Sequence, residues 1–401
     1  MGRHAFLGRP AVLEKLQLAA RAGRLGQPFL LVGPEGSGKE NTALEFARLL
    51  NCADPAACRP DHLCESCVKA LSFQHPDIRW IGPAPASMTE DGVRALLEHK
   101  IAQPFYQDPA AATARVRIGD PENPEPMTIR WLIHFLRRRA FQGTYKVAVI
   151  ADAHRLNTAA ANAFLKTLEE PPPATVIFLL TTGTEGMLPT ILSRCRKMRF
   201  EPWSEDELTG LLMEIGGADE QEARQTARAA DGNARRGLAL LSAEAGAVMA
   251  WAGRLHGWIH DRDRARAGIA ADELHAGRMS HACLPAGASA KAFDAKEPAL
   301  RRDRAIQLCE LLNLLYSDTV NCREQGEAWR PRLLGFADQV QAAAGRRRTE
   351  TLLTDMAAID TSRREIDSNI NIGLAMAVLF EGLIDHAEID QATGISRTES
   401  A

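Results

Sequence analysis

Residues 145–201 read YKVAVIADAHRLNTAAANAFLKTLEEPPPATVIFLLTTGTEGMLPTILSRCRKMRFE, and their pattern decides the fold. Val147–Ile150 is a continuous apolar run that ends at Asp152. Residues 157–169 follow with helical spacing, and Thr175–Leu180 is a second apolar run. A short helix over 187–192 leads through Ser193-Arg194-Cys195 into another strand. Continuous apolar strands separated by helices predict a parallel sheet covered on both faces.

Working outward, the same alternation extends upstream. A helix is predicted over 9–24, and Phe29–Val32 as a buried strand that enters the glycine-rich run GPEGSGKE at 33–40. A helix then runs to about residue 50, with a strand near 77–81 and a helix within 127–140. After Phe200 the pattern is helical only. Segments 204–214, 218–230 and 234–243 fit a small three-helix lid. Segments near 247–268, 300–322, 328–344, 350–359 and 363–386 fit a helical C-terminal domain. Loops are expected over 82–92, 119–126 and 276–298. The expected division is 1–201 for the core, 202–243 for the lid and 244–401 for the helical domain.

The chain has 401 residues, enough for two or three domains. Its 45% hydrophobic and 25% charged residues are ordinary for a globular protein. A net charge of −3 gives no global field to attract nucleic acid, and 5% aromatic residues argue against a base-stacking surface. No signal peptide and no membrane span are expected, which places the chain in the cytoplasm.

Gly33, Gly38 and Lys39 stand in the register of a G-x-x-x-x-G-K-[ST] phosphate loop, with Gly36 between them. Such a loop cradles phosphates with backbone N–H groups and a lysine, and its final hydroxyl holds Mg²⁺. Here Glu40 replaces that hydroxyl, and a carboxylate repels triphosphate oxygens. The residues admit either a weak ATP/Mg²⁺ site or a plain glycine-rich turn. Asp152, at the end of its strand, stands where phosphate-loop ATPases hold Mg²⁺. The next residue is Ala153, so no acid is present there to polarise water. His154 reads as a packed histidine.

Arg194 sits at a domain edge, where an arginine either reaches a neighbour's γ-phosphate or makes a surface ion pair. Thr181 and Thr182 end a strand that faces the phosphate in this architecture, or simply cap it. Arg235 opens a lid helix and either touches phosphate or is solvated. Cys52, Cys58, Cys64 and Cys67 give C-x5-C-x5-C-x2-C, which reads as structural Zn²⁺, with Asp61 and His62 as spare ligands.

HPDIRWIGP at 75–83, DAHRLNTAAANAFLKTLEEPP at 152–172 and SRC at 193–195 resemble the AAA+ clamp-loader family of bacterial DNA polymerase III, and its delta-prime branch in particular. The resemblance covers residues 5–243 and is generic beyond them. It implies a RecA-like core with a zinc module at 52–67, a three-helix lid and an all-α collar that carries the oligomer contacts. It further implies a subunit inactive as an ATPase that presents Arg194, flanked by Ser193 and Cys195, to a neighbour's ATP. The implied cofactor-binding set is Gly33, Gly36, Gly38, Lys39, Glu40, Asp152, Thr182 and Arg235. The implied partners are gamma/tau and delta subunits in a hetero-pentamer, the sliding clamp, and primed DNA through the complex, with no membrane. The polymerase-binding extension of tau is not expected in a chain ending at 401.

Three departures stand out. The family's zinc spacing would put a ligand at Asp61, where this chain instead offers Cys58, and a thiolate suits structural zinc better. The phosphate-loop glycines survive. The connection over 82–126 is long, with no role assigned. Two other readings are an active gamma/tau-like motor and a nucleic-acid-binding module using Arg137–Arg139 or Arg346–Arg348.

Overall fold

The structure is a computed structural model, and it describes residues 7–55, 57–59, 61–108, 111, 114–241, 243–276, 298–367 and 370–393. Cys283 and most of the loop expected at 276–298 lie outside the described residues. The chain divides into two compact units. The first holds residues 1–207 with 231–236, and the second 208–230 with 237–401.

The first unit is built on a five-stranded parallel sheet. Its strands are β1 (Phe29–Val32), β2 (Ile78–Ile81), β3 (Lys146–Ile150), β4 (Thr175–Thr181) and β5 (Arg196–Arg199), in the order β2-β3-β4-β1-β5. β3 and β4 are buried along their whole length, as their unbroken apolar runs require. Phe29 stacks on Phe178 at 5.5 Å, and Phe46 meets Phe178 edge-on at 6.1 Å. The helices are α1 (Pro10–Arg21), α2 (Lys39–Leu50), α3 (Glu65–Leu71), α4 (Glu90–Ala102), α5 (Ile129–Leu136), α6 (Thr158–Glu169) and α7 (Pro189–Leu192). Asn157 caps α6 by accepting from the Ala160 amide at 2.7 Å.

Asp77, the acid of HPDIRWIGP, is fully buried just before β2. It accepts from the amides of Phe141, Gln142 and Gly143, each at 2.7 Å, and faces Lys146 at 3.4 Å. It therefore pins the turn that feeds β3. Burial pushes its carboxyl up, but the three amide donors and Lys146 outweigh this and hold it below the usual range.

Helix α4 is the main difference from the sequence reading, which placed a loop over 82–92 and gave the connection no role. Thr89 caps α4 by accepting from Gly92, and acids fill its first turn. The cap, with Val93, Leu96 and Leu97 at helical spacing, is the signal that predicts it.

The remaining helices are α8 (Glu205–Gly216), α9 (Glu220–Ala230), α10 (Ala234–Leu240), α11 (Ala243–His260), α12 (Arg264–Ala276), α13 (Pro298–Gln325), α14 (Ala337–Ala344), α15 (Thr349–Asp367) and α16 (Ile372–Ala392). The single helix expected over 247–268 is two. Arg262 turns left-handed at φ 62°, and Asp263 restarts the chain by accepting from the Arg266 amide at 3.1 Å. The helix expected over 328–344 begins only at Ala337, after Pro331 and two short 3-10 turns. The break expected between 359 and 363 is absent, and α15 runs through it. Asn371 instead caps α16 by accepting from Leu374 at 3.1 Å.

The second unit has its own core, centred on Trp251, Leu312, Tyr316 and Phe380. Inside it Arg347 pairs with Asp355 at 2.5 Å and Asp390 at 2.8 Å. Arg348 also meets Asp390, and Arg346 meets Asp261. The run Arg346–Arg348 is thus committed to internal ion pairs. No helix among the described residues is long and apolar enough to cross a membrane.

Candidate functional site

The glycine loop joins β1 to α2. Gly36 and Gly38 are left-handed, at φ 66° and 82°, and Gly38 is the N-cap of α2. A Cβ on Gly36 would fall 1.9 Å from Asn233 Oδ1, and one on Gly38 would fall 2.8 Å from Trp203. Trp203 Nε1 donates to the Gly36 carbonyl at 2.8 Å. These packing contacts call for glycine whether or not a phosphate ever binds.

Beside the loop is a cavity of about 100 Å³. Gly36, Gly38, Lys39, Glu40, Asp152 and Arg235 line it, whereas Gly33 and Thr182 do not. Lys39 Nζ donates to the Pro34 carbonyl at 2.9 Å. Burial pushes its ammonium down, against the pull of Asp152, Glu35 and Glu40. Lys100, on α4, donates to Glu40 at 2.7 Å and to the Tyr106 carbonyl at 3.1 Å. Its ammonium lies 4.6 Å from the Trp80 ring centre. Arg235 donates to Gln107 at 2.5 Å and faces Glu35 at 3.4 Å.

Ala153 is buried and brings no acid to the strand end. His154 Nδ1 lies 3.1 Å from Thr181 Oγ1, and burial pushes its imidazole below the ordinary value. Of the two strand-end threonines, Thr181 is buried and Thr182 exposed.

The thiols of Cys52, Cys58, Cys64 and Cys67 all lie within 4.8 Å of one another. Cys52 and Cys64 are 3.9 Å apart, and Cys58 and Cys67 are 3.6 Å apart. Tetrahedral thiolates around zinc sit roughly 3.8 Å apart, so the cluster fits a metal ion of that kind. Asp61 is exposed and stands outside the group. Burial pushes the Cys64 thiol up, but the amides of Cys67 and Ala53 outweigh it and bring the thiol to about 6. Arg48, held by Glu45, donates to Cys67 Sγ at 2.9 Å, where its positive charge would offset that of thiolates.

Ser193 and Arg194 follow α7. Arg194 lies partly exposed, and its guanidinium donates to Glu169, the first acid of the Glu-Glu-Pro-Pro turn, and to the Thr190 carbonyl at 2.7 Å. Ser193 Oγ donates to Thr190 at 3.2 Å and accepts from Arg194 at 3.3 Å. Cys195 points the other way, into the core, where burial pushes its thiol up to about 12. It packs the base of the segment and has no reactive thiolate.

Sequence reasoning missed Lys100, Tyr106 and Gln107, which the connection brings to the phosphate loop. A parallel sheet with a left-handed glycine loop at the C-terminal edge of β1, an acid at the end of β3 and a helical second unit define an AAA+-type chain.

Residues 8–204 match the family described as DNA polymerase III, delta subunit. The chain is 32% identical over 213 residues to the DNA polymerase III subunit gamma/tau of Mycobacterium tuberculosis, covering 52% of this chain and 30% of that protein. It is 31% identical over 179 residues to the delta' subunit of Pseudomonas aeruginosa, covering 45% and 44%. The delta' subunit of Bacillus subtilis is 25% identical over 206 residues, covering 51% of each. The chain thus spans between 30% and 51% of the length of these relatives. Among solved structures, a DNA polymerase III gamma subunit-related protein of Thermotoga maritima has a TM-score of 0.40 at 16% identity, covering 94% and 99%. Over about half of its length the chain is thus similar to clamp-loader subunits of DNA polymerase III.

Proposed function

We propose that the chain is a delta-prime-like subunit of a replicative clamp loader, silent as an ATPase in cis. Arg194 serves a neighbouring subunit's ATP in trans. Its partners are gamma/tau and delta subunits in a hetero-pentamer, which together set the sliding clamp on primed DNA in the cytoplasm. Zn²⁺ on the four cysteines holds the 52–67 module together.

The observation that carries this reading is the strand end. Asp152 is followed by buried Ala153, so the chain brings no carboxylate to orient an attacking water. Arg194 supports the trans role because its guanidinium, just past the end of α7, is partly exposed to solvent rather than packed into the core. An arginine placed on a developing phosphoryl charge is worth roughly 10³–10⁵ in rate in other phosphoryl-transfer enzymes.

The test is Arg194→Ala in the reconstituted complex. Assembly should persist while the ATPase of the partners falls at least tenfold. An unchanged ATPase removes the trans role. A second reading, a gamma/tau-like motor, draws on the 32% identity to that subunit. Turnover by the isolated chain with Mg²⁺ decides for it.

A further inference from the structure

Three cations (Lys39, Lys100 and Arg235) and four carboxylates (Glu35, Glu40, Asp108 and Asp152) line the cavity beside the glycine loop; the connection between β2 and β3 carries Lys100 and bonds Arg235. In a working phosphate loop, the residue after the lysine lends a hydroxyl to Mg²⁺. Here that residue is Glu40, and its carboxylate is already taken by an ammonium at 2.7 Å. Lys100 is itself almost wholly buried, with 8% of its side chain exposed. Its other contacts are the Tyr106 carbonyl and the face of Trp80. Glu40, a carbonyl and a ring face thus use the donating directions of the ammonium.

Mg²⁺ does not fit beside Glu40, the position after the loop lysine. It demands near-octahedral oxygen ligands at roughly 2.0–2.1 Å and keeps most of its waters. To reach Glu40 it would have to expel Lys100, leaving a buried ammonium without its carboxylate. If Lys100 stayed, two cations would crowd one carboxylate. The same connection holds Arg235 through Gln107. The buried polar atoms of cavity-lining residues that lack a hydrogen-bond partner among the described residues are Ser37 Oγ, Asn41 Nδ2 and Trp80 Nε1. All three can donate to an anion, and the amide and indole nitrogens cannot ligate a metal.

We propose that Lys100 is a built-in cation that takes the place of Mg²⁺ at Glu40, so that the phosphate loop is closed to the metal and takes any nucleoside phosphate only in metal-free form. The inference deepens the reading of a subunit silent in cis: α4 and the connection that carries it exclude the metal on which hydrolysis depends.

The experiment is a titration of the full-length protein with a fluorescent N-methylanthraniloyl ATP, once with excess Mg²⁺ and once with EDTA added after the zinc content is fixed. The wild-type isotherm should be the same in both. The double variant Glu40→Thr/Lys100→Met should bind at least tenfold more tightly with Mg²⁺ than with EDTA. A wild-type affinity that rises with Mg²⁺ overturns the proposal. So does a folded double variant as indifferent to Mg²⁺ as the wild type. Should the double variant not fold, the wild-type arm still decides, together with Mn²⁺ binding in the presence of ATP, read by electron paramagnetic resonance. No bound Mn²⁺ is expected, and bound Mn²⁺ overturns the proposal. The two readings fail separately. Mg²⁺-dependent binding without turnover ends this inference and leaves the trans role intact. A metal-indifferent site with an inert Arg194→Ala variant does the reverse.

Discussion

Asp77 shows what a single residue contributes to this fold. Three amides converge on a carboxylate with no solvent exposure, and Lys146 lies beside it. Its folded pKa is depressed, so its stabilisation is complete well above the unfolded value of about 3.9 and is lost as pH falls through that value toward the folded one. Asp77→Asn should therefore cost about 3 kcal/mol in urea unfolding at neutral pH, since it leaves Lys146 buried without its partner. The acid limb of stability against pH should flatten in the variant. A variant with an unchanged acid limb would show that other carboxylates set that limb. Arg194→Lys tests a different property at the same scale. An ammonium cannot reproduce the planar fork of the guanidinium, so the partners' ATPase should fall nearly as far as with alanine.

At the scale of elements, the cysteine cluster and α4 show opposite degrees of legibility. The cluster was readable because four cysteines fall within 16 residues, a spacing that suits a tetrahedral metal site. Choosing between Cys58 and Asp61 needed the chain path, because spacing alone does not show which side chain turns inward. Chelation should release about one zinc per chain and unfold the 52–67 segment, read by hydrogen exchange. Cys58→Ser should lose the metal and Asp61→Ala should keep it; the opposite pattern would place Asp61 in the site.

Strands β3 and β4 were legible because burial on both faces leaves nothing but apolar residues. α4 carried an ordinary cap and ordinary spacing, but it sits in a stretch whose turn residues drew the reading toward loop. Its pairing with Glu40 spans 60 residues and is purely tertiary, so no local pattern records it. The divided helix at Arg262 was hidden for a related reason: the apolar stripe continues on both sides of the turn.

For the whole molecule, the division into two units with separate cores matters more than net charge. The second unit buries Arg347 with 2% of its side chain exposed, between two carboxylates at 0%. His256 and His260 lie close by, and burial pushes His256 down to about 3, so both remain neutral at physiological pH. Arg347→Met should destabilise this unit by about 4 kcal/mol, because it takes the guanidinium away from buried Asp355 and Asp390, leaving Asp355 only His386 at 2.6 Å. A urea titration followed by fluorescence and a second following zinc release should separate this loss from the first unit. A shift of under 1 kcal/mol would mean that Asp355 takes up a proton and makes good the loss. The basic runs add little to nucleic-acid affinity in this unit, since Arg346, Arg347 and Arg348 each already face an acid. The isolated chain should accordingly show no tight, salt-sensitive binding to primed DNA.

The left-handed turns at Gly36 and Gly38 lie beneath Asn233 and Trp203, where no larger residue can stand. Such a loop would keep its spelling in a protein that had never met a nucleotide, for the same reason that a keystone stays when the road through the arch is closed. Sorting engines from idlers by their glycines therefore sorts them by architecture. On the proposed reading, it is two inconspicuous letters, Glu40 and Ala153, that keep this chain from burning fuel.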